Sequence, residues 1–421
     1  MYAVRARAQR AATVLAALAA VAAASPAAAS NALNGRIAYT THGLDGTGEI
    51  FSLDPDGSDP LRLTEHPGYD AQSDWSPDGR SIVYRRSPAT TGFEVWRMTA
   101  EGKDETRMTF GLDLPTGAYS SSQPAWTPDG QRILFRASGG PFPVAPIFSM
   151  PNESGAAKTL VLQAAQPLWY PQLSPDGTRL LVAAQYPRIR GREDRAVEIA
   201  DSPFTAPRRV LFDGPKTSPG VYDSAGNWSP DGTEIAFESD VDGDMDIYVI
   251  GADGTGLRQL TGVEPDDNAH DEGPTWSPDG LQIAFTSGPD NLNGDIHVMN
   301  AADGSNVRRI TFNESPTRGW GRDESPDWQG IPIGEDLRAL GDLVESGTGA
   351  YSVHAGGPLP DECAMRLARH WSRLAAQDVR LKVLAGLRMR QEDIGPGAVA
   401  VRGVPVGHDT GRRLAFVYRE G

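Results

Sequence analysis

A short phrase recurs along this chain and limits its fold more than any other feature. It stands as Trp75-Ser76-Pro77-Asp78-Gly79, Trp126-Thr127-Pro128-Asp129-Gly130, Leu173-Ser174-Pro175-Asp176-Gly177, Trp228-Ser229-Pro230-Asp231-Gly232 and Trp276-Ser277-Pro278-Asp279-Gly280. A partial copy follows at Asp327-Trp328-Gln329-Gly330. The first positions are 75, 126, 173, 228, 276 and 328, a spacing close to fifty residues. A fixed period of that length marks a repeat architecture in which each unit is one supersecondary element.

Each unit reads as four strands. The first ends in the Trp, and Ser-Pro-Asp-Gly then suits a type I turn, with Pro at its second position. A second, apolar strand follows, as in Ile82-Val83-Tyr84, Ile133-Leu134-Phe135 or Ile235-Ala236-Phe237. A third comes after a polar loop, as in Asp246-Ile247-Tyr248-Val249, and a fourth after an Asp/Gly turn, as in Leu257-Arg258-Gln259-Leu260. Short β-rich runs between Gly, Pro and Asp clusters are strand signals.

The first unit, Arg36–Thr40, Glu49–Ser52 and Leu61–Thr64, lacks a Trp strand, and the last copy has nothing but one. The two fragments complete a single unit. The expected fold is therefore all-β: a six-bladed β-propeller closed by a first blade shared with the last strand. Such closure removes an open sheet edge.

The flanks differ. Arg5, Arg7 and Arg10 precede the apolar run 11–23, and small residues stand at Ala27 and Ala29. This is the layout of a secretory signal peptide over residues 1–29, cut after Ala29. Export to the periplasm or the exterior is expected, with no integral membrane segment. The propeller is assigned to residues 30–331. Residues 332–421 read as a small α+β lobe, with a helix over 361–377 and strands over 379–387, 398–404 and 412–418. Cys363 is the only cysteine, so no intramolecular disulfide forms. The net charge is −16, and it is concentrated in the repeat region. An acidic body argues against nucleic acid and favours basic or cationic partners. A monomer is expected.

The repeated units resemble those of the TolB-type propeller family, whose hallmark is Trp-Ser-Pro-Asp-Gly followed by a strand like Ile-Ala-Phe. The resemblance covers residues 34–330. It implies a periplasmic protein of the Tol–Pal envelope system whose channel mouth receives a lipoprotein. TolB itself carries an α/β domain before its propeller; here the expected signal peptide runs almost directly into the first strand.

Candidate site residues follow from the blade pattern. If the Trp strand lines the channel, its early residues sit at the mouth. Five positions before the phrase stand Asp70, Asp223, Asp271 and Asp323, with Ser121 and Leu168 completing the level. Glu272 and Glu324 follow one residue later, and Trp169 and Tyr170 add an aromatic arc. Converging carboxylates attract a cation or a basic segment. The same aspartates could instead cap loops between blades, and both readings stand. Asp240, Asp242, Asp244 and Asp246 alternate as Ca²⁺ ligands do, but an EF-hand Glu at the twelfth place is missing and a hairpin loop is favoured. No cofactor is expected; Ca²⁺ is the one ion the sequence suggests.

No Gly-x-Ser-x-Gly elbow, His-Glu-x-x-His, phosphate loop or dinucleotide fingerprint occurs. Two functions remain. The first is a binding scaffold whose acidic channel mouth engages a protein, a glycan or a cation. The alternative is a channel-centred metal-dependent hydrolase or lyase.

Overall fold

The computed structural model describes residues 32–42, 47–87, 92–110, 120–139, 144–189, 192–204, 209–212, 221–262, 269–289, 294–312, 322–332, 382–385, 398–400 and 414–419. The expected signal peptide and the expected helix over 361–377 lie outside the described residues. Every regular element described is a strand.

The first three strands are β1 (Ala32–His42), β2 (Gly48–Leu53) and β3 (Leu61–Arg62). Then come β4 (Tyr69–Trp75), β5 (Ser81–Ser87), β6 (Glu94–Thr99) and β7 (Thr106–Arg107), followed by β8 (Ser120–Trp126), β9 (Arg132–Ser138), β10 (Ile147–Pro151) and β11 (Thr159–Leu162). The third group is β12 (Leu168–Leu173), β13 (Arg179–Ile189), β14 (Arg192–Asp201) and β15 (Arg209–Phe212). The fourth is β16 (Asp223–Trp228), β17 (Glu234–Ser239), β18 (Asp246–Gly251) and β19 (Arg258–Gln259). The fifth is β20 (His270–Trp276), β21 (Gln282–Gly288), β22 (Asp295–Asn300) and β23 (Arg308–Arg309), and β24 (Asp323–Pro332) ends the series.

Four of these groups are antiparallel four-stranded sheets: β8–β11, β12–β15, β16–β19 and β20–β23. In a fifth, β24 pairs with β1, β1 with β2 and β2 with β3; a single parallel bridge, Gly48 to Tyr69, joins it to the meander β4–β7. The chain therefore separates into two compact units, the repeat region and a second unit of residues 31–33 and 332–421. The second unit holds a three-stranded sheet of β25 (Lys382–Ala385), β26 (Ala398–Ala400) and β27 (Leu414–Arg419), ordered β25-β27-β26.

The turn chemistry explains why each unit folds alike. Gly79 N–H donates to Ser76 O at 2.8 Å, and the Asp78 carboxylate accepts from Ser76 Oγ at 2.6 Å and from Arg80 N–H at 3.1 Å. The same bonds recur at Asp129, Asp176, Asp231 and Asp279. Gly79 adopts φ 68°, and a Cβ there would stand 2.5 Å from Gly330 O, so a side chain is excluded twice over.

Each Trp fills the gap to the preceding sheet. Trp126 packs with Val83, Val95 and Met108; Trp276 with Ala236, Ile247 and Val249; Trp328 with Ala284, Ile296 and Val298; Trp75 with Ala38, Ile50 and Leu63. Burial of an aromatic of this size dominates a contact of this kind. The third sheet has Leu173 at the equivalent place, packed against Leu134, Ile147 and Val161.

Candidate functional site

The six Trp-strands, with Leu173 in place of Trp on β12, contribute the wall of one cavity of about 590 Å³. A β-bulge in β4, β8, β12, β16 and β20 shapes this wall. Pairing with the following strand jumps from Ala71 to Asp74, Ser122 to Ala125, Trp169 to Gln172, Ser224 to Asn227 and Glu272 to Thr275. The residue three before the phrase is left-handed at Gln72, Gln123, Tyr170, Gly273 and Ser325, with φ 54°, 52°, 49°, 60° and 53°. A bulge re-aims side chains and interrupts the ladder. A left-handed non-glycine residue costs on the order of 1 kcal/mol, held only by firm surroundings.

Two tiers of side-chain acceptors supply that support from the neighbouring sheet. In the upper tier, Gln72 Oε1 accepts Gln123 N–H at 3.2 Å, Gln123 Oε1 accepts Tyr170 N–H at 3.1 Å, and Glu238 Oε2 accepts Gly273 N–H at 2.8 Å. In the lower tier, Asp327 accepts Trp75 N–H and Asp74 accepts Trp126 N–H, each at 2.6 Å. Gln172 and Asn227 do the same for Trp228 and Trp276 at 2.9 and 3.4 Å.

The structure divides the sequence-predicted site residues into two groups. Tyr170, Glu272 and Glu324 line the cavity. Asp70, Asp223, Asp271 and Asp323 do not; each is buried to 3% exposure or less. Asp70 holds Arg86 through two bonds of 2.7 Å, Asp223 accepts from Ser239 Oγ at 2.5 Å, and Asp323 accepts from Thr41 Oγ1 at 2.8 Å. The expected acidic level is corrected: of the candidate Asp and Glu residues on the Trp-strands only Glu272 and Glu324 face the cavity, and the equivalent residues on β4 and β16 are Ala71 and Ser224. Side chains alternate faces, so one step in register moves a residue from the cavity to the sheet interior. Trp169 is half-buried beside the cavity, stacked between Arg136 and Arg195 at 3.8 and 4.7 Å.

Seven carboxylates line the cavity, from Asp74, Glu238, Asp240, Asp244, Glu272, Glu324 and Asp327, against the single guanidinium of Arg322 and the imidazole of His270. Arg322 pairs with Glu272 and, at 3.4 Å, with Glu324. Glu324 also meets His42 Nε2 at 2.9 Å and accepts from Tyr69 OH at 3.2 Å. Burial would raise the Glu324 carboxyl, but these partners hold it below its ordinary value. Glu238 is pushed up to about 8 by burial and by Glu272. Burial carries Asp327 to about 6, and burial together with Asp327 raises Asp74 well above its usual range.

In the loop after β17 and at the first residue of β18, carboxylate oxygens of Asp242, Asp244 and Asp246 lie within 4.8 Å of one another, a set that could hold a cation. They also have protein partners: Gln259 Nε2 donates to Asp242 at 2.7 Å and Thr261 Oγ1 to Asp246 at 3.0 Å. Burial, with Asp242 and Asp244 nearby, pushes Asp246 up to about 7. Asp240 instead accepts Tyr222 N–H at 2.7 Å.

Sequence reasoning passed over Arg85, Arg136 and Glu238. All three follow the apolar triplet of a second strand, opposite Ala71, Ser122 and Ser224. A charge directly after Ile-Val-Tyr, Ile-Leu-Phe or Ile-Ala-Phe was the available signal.

Residues 212–327 match the family model of the TolB beta propeller domain. An uncharacterized protein of Agrobacterium fabrum is 27% identical over 202 residues, which is 46% of this chain and 62% of that protein. An uncharacterized peptidase of Bacillus subtilis is 32% identical over 91 residues, 22% of this chain and 13% of the peptidase. The chain thus spans less than two thirds of either relative. TolB from Acinetobacter baumannii has a similar fold, with a TM-score of 0.55 at 19% identity over 70% of this chain and 66% of that one. A protein described as TolB from Agrobacterium tumefaciens gives 0.50 at 18% identity over 71% and 99%. The recurring Trp phrase, the four-stranded meanders and these matches agree: residues 212–327 carry the TolB-type β-propeller repeat, and the repeat region as a whole has a fold similar to that of TolB.

Proposed function

We propose that this protein is an exported, six-bladed TolB-like propeller whose acidic channel binds a basic segment of a protein partner. The carrying observation is the cavity wall, with seven carboxylates against one guanidinium. Several of these carboxyls are held above their ordinary values by burial and by one another, and a bound cation relieves that repulsion. Six closed blades are supported by the pairing of β24 with β1 and by the apolar clusters on both sides of that sheet. The basic residues at the start of the chain and the Ala27–Ala29 pattern support export.

A channel-centred metal enzyme has weaker support. Among the described residues the cavity presents one imidazole, His270, and the only gathering of three metal-ligating side chains is Asp242, Asp244 and Asp246 in the loop after β17 and at the first residue of β18. The test is fluorescence anisotropy with labelled peptides of net charge +4 and −4. The basic peptide binds, and its affinity falls at least tenfold between 50 and 300 mM salt, as expected for charge attraction across about one Debye length. Equal affinity for both peptides overturns the reading.

A further inference from the structure

One rung of the sheets carries a charge pattern that an acidic cavity alone does not explain. On it Ala71 faces Arg85, Ser122 faces Arg136, Trp169 faces Ala183, Ser224 faces Glu238 and Glu272 faces Thr286. Cations occupy the first two sheets of this series and carboxylates the last two. Glu324 holds the place of Glu272 on β24. The rung is split into a basic arc and an acidic arc.

The basic arc is positioned by ring stacking and, among the described residues, pairs with no carboxylate. The Arg136 guanidinium stacks on Trp169 at 3.8 Å and donates Nε–H to Leu168 O at 2.9 Å. Arg85 lies over Phe93 at 4.3 Å and over Tyr69 at 5.4 Å. Among the described residues neither makes an ion pair, whereas the adjacent Arg86 is fully engaged by Asp70 and Glu105. A guanidinium fixed by aromatic stacking, with its N–H fork still available, is suited to a carboxylate.

On the acidic arc, Glu238 is 6% exposed, lines the cavity and takes a single hydrogen bond, from Gly273 N–H. Tyr170 stands between the arcs. Burial pushes its phenol up to about 12, with Glu238 and Glu324 adding to the shift and Arg195 and Arg85 opposing it.

We infer that the cavity mouth takes a dipolar peptide segment, its cationic side chain against Glu238 and Glu272 and its carboxylate against Arg136 and Arg85. The inference rests on the channel-binding function proposed above and adds the anionic half of the ligand. A bare cation gives the basic arc nothing to bind, and a neutral glycan matches neither arc. A cavity of about 590 Å³ accommodates a few residues.

The test uses N-acetylated Lys-Gly, Lys-Gly-Gly and Lys-Gly-Gly-Gly, each as the free acid and as the C-terminal amide, titrated into the full mature chain by calorimetry. At one or more lengths the acid binds at least tenfold more tightly than its amide. In Arg136→Gln and in Arg85→Gln that ratio falls below about threefold while the amide's own affinity is kept, as loss of a charge-assisted bond requires. A ratio near one at all three lengths in the unaltered protein overturns the inference and leaves basic-segment binding standing. A ratio that survives both substitutions overturns the assigned arginines. Failure of all six peptides to bind while the +4 peptide still binds overturns the dipolar ligand alone; failure of the +4 peptide as well overturns the channel-binding function with it.

Discussion

Asp327 Oδ2 accepts the amide proton of Trp75 at 2.6 Å, a bond between residues 252 positions apart in the chain. Asp74 makes the same bond to Trp126 one sheet further on. Removing the acceptor strands a Trp amide at the packed end of a strand. Asp327→Ala should cost about 1–3 kcal/mol, the usual penalty for an orphaned buried donor. Asp327→Asn keeps an acceptor oxygen and removes a desolvated charge, so above pH 7 it should cost much less. Urea unfolding of both variants checks this, and equal losses would sink the idea.

Stability should fall as pH rises from 5 to 8.5. Asp327, Asp246 and Glu238 are carried to about 6, 7 and 8. In the unfolded chain such groups titrate near about 4. Between those limits the folded state holds more protons than the unfolded state, so deprotonation favours unfolding. The unfolding midpoint should drop through this window, and Glu238→Gln should flatten its upper end. A midpoint that climbs over the same range contradicts the assignment.

Gln329 joins three segments. Its Oε1 accepts Arg36 N–H at 2.9 Å, and its Nε2 donates to Gly79 O at 2.6 Å, both in buried surroundings. Gln329→Ala should cost about 2–4 kcal/mol, since two backbone groups lose partners at once. Gln329→Glu should also destabilise, because a carboxylate cannot donate to Gly79 O. Chemical denaturation of the two variants measures both losses.

The buried aspartates and the cavity glutamates should separate stability from binding. Asp70→Ala leaves the 3%-exposed Arg86 guanidinium without its closest counter-charge. It should cost about 3–5 kcal/mol while the folded fraction keeps its peptide affinity. Glu272→Gln and Glu324→Gln should do the reverse, with near-normal unfolding and weaker binding of the +4 peptide. Binding lost at Asp70 and intact at Glu272 would return the acidic level to the aspartates.

Much of the repeat region could be read from the residues alone. The Trp phrase fixed the turns, the second strand of each meander and the joining of first and last fragments, because turn formation depends on neighbouring residues and the phrase supplies them all. The wall of the cavity was harder. It depends on a left-handed residue three before the phrase, and that position has no single residue type: Gln72, Gln123, Tyr170, Gly273 and Ser325 all adopt it. Position along the strand names Asp70, Asp223, Asp271 and Asp323 together with Glu272 and Glu324, and does not say which of two adjacent residues faces the cavity. Arg85 and Arg136 were missed because a charged residue on an apolar strand gives no sign of which partner it meets across the sheet.

β24 lies against β1, so one sheet contains both the earliest and the latest strand of the repeat region. In a chain that emerges from its N terminus, β1 must wait with an unpaired edge until residues 323–332 arrive. Throughout that interval the edge is a template for pairing with other chains. Assembly of this sheet is therefore timed by completion of the chain rather than by its own local propensities, and a chain cut short before Asp323 would carry the open edge permanently.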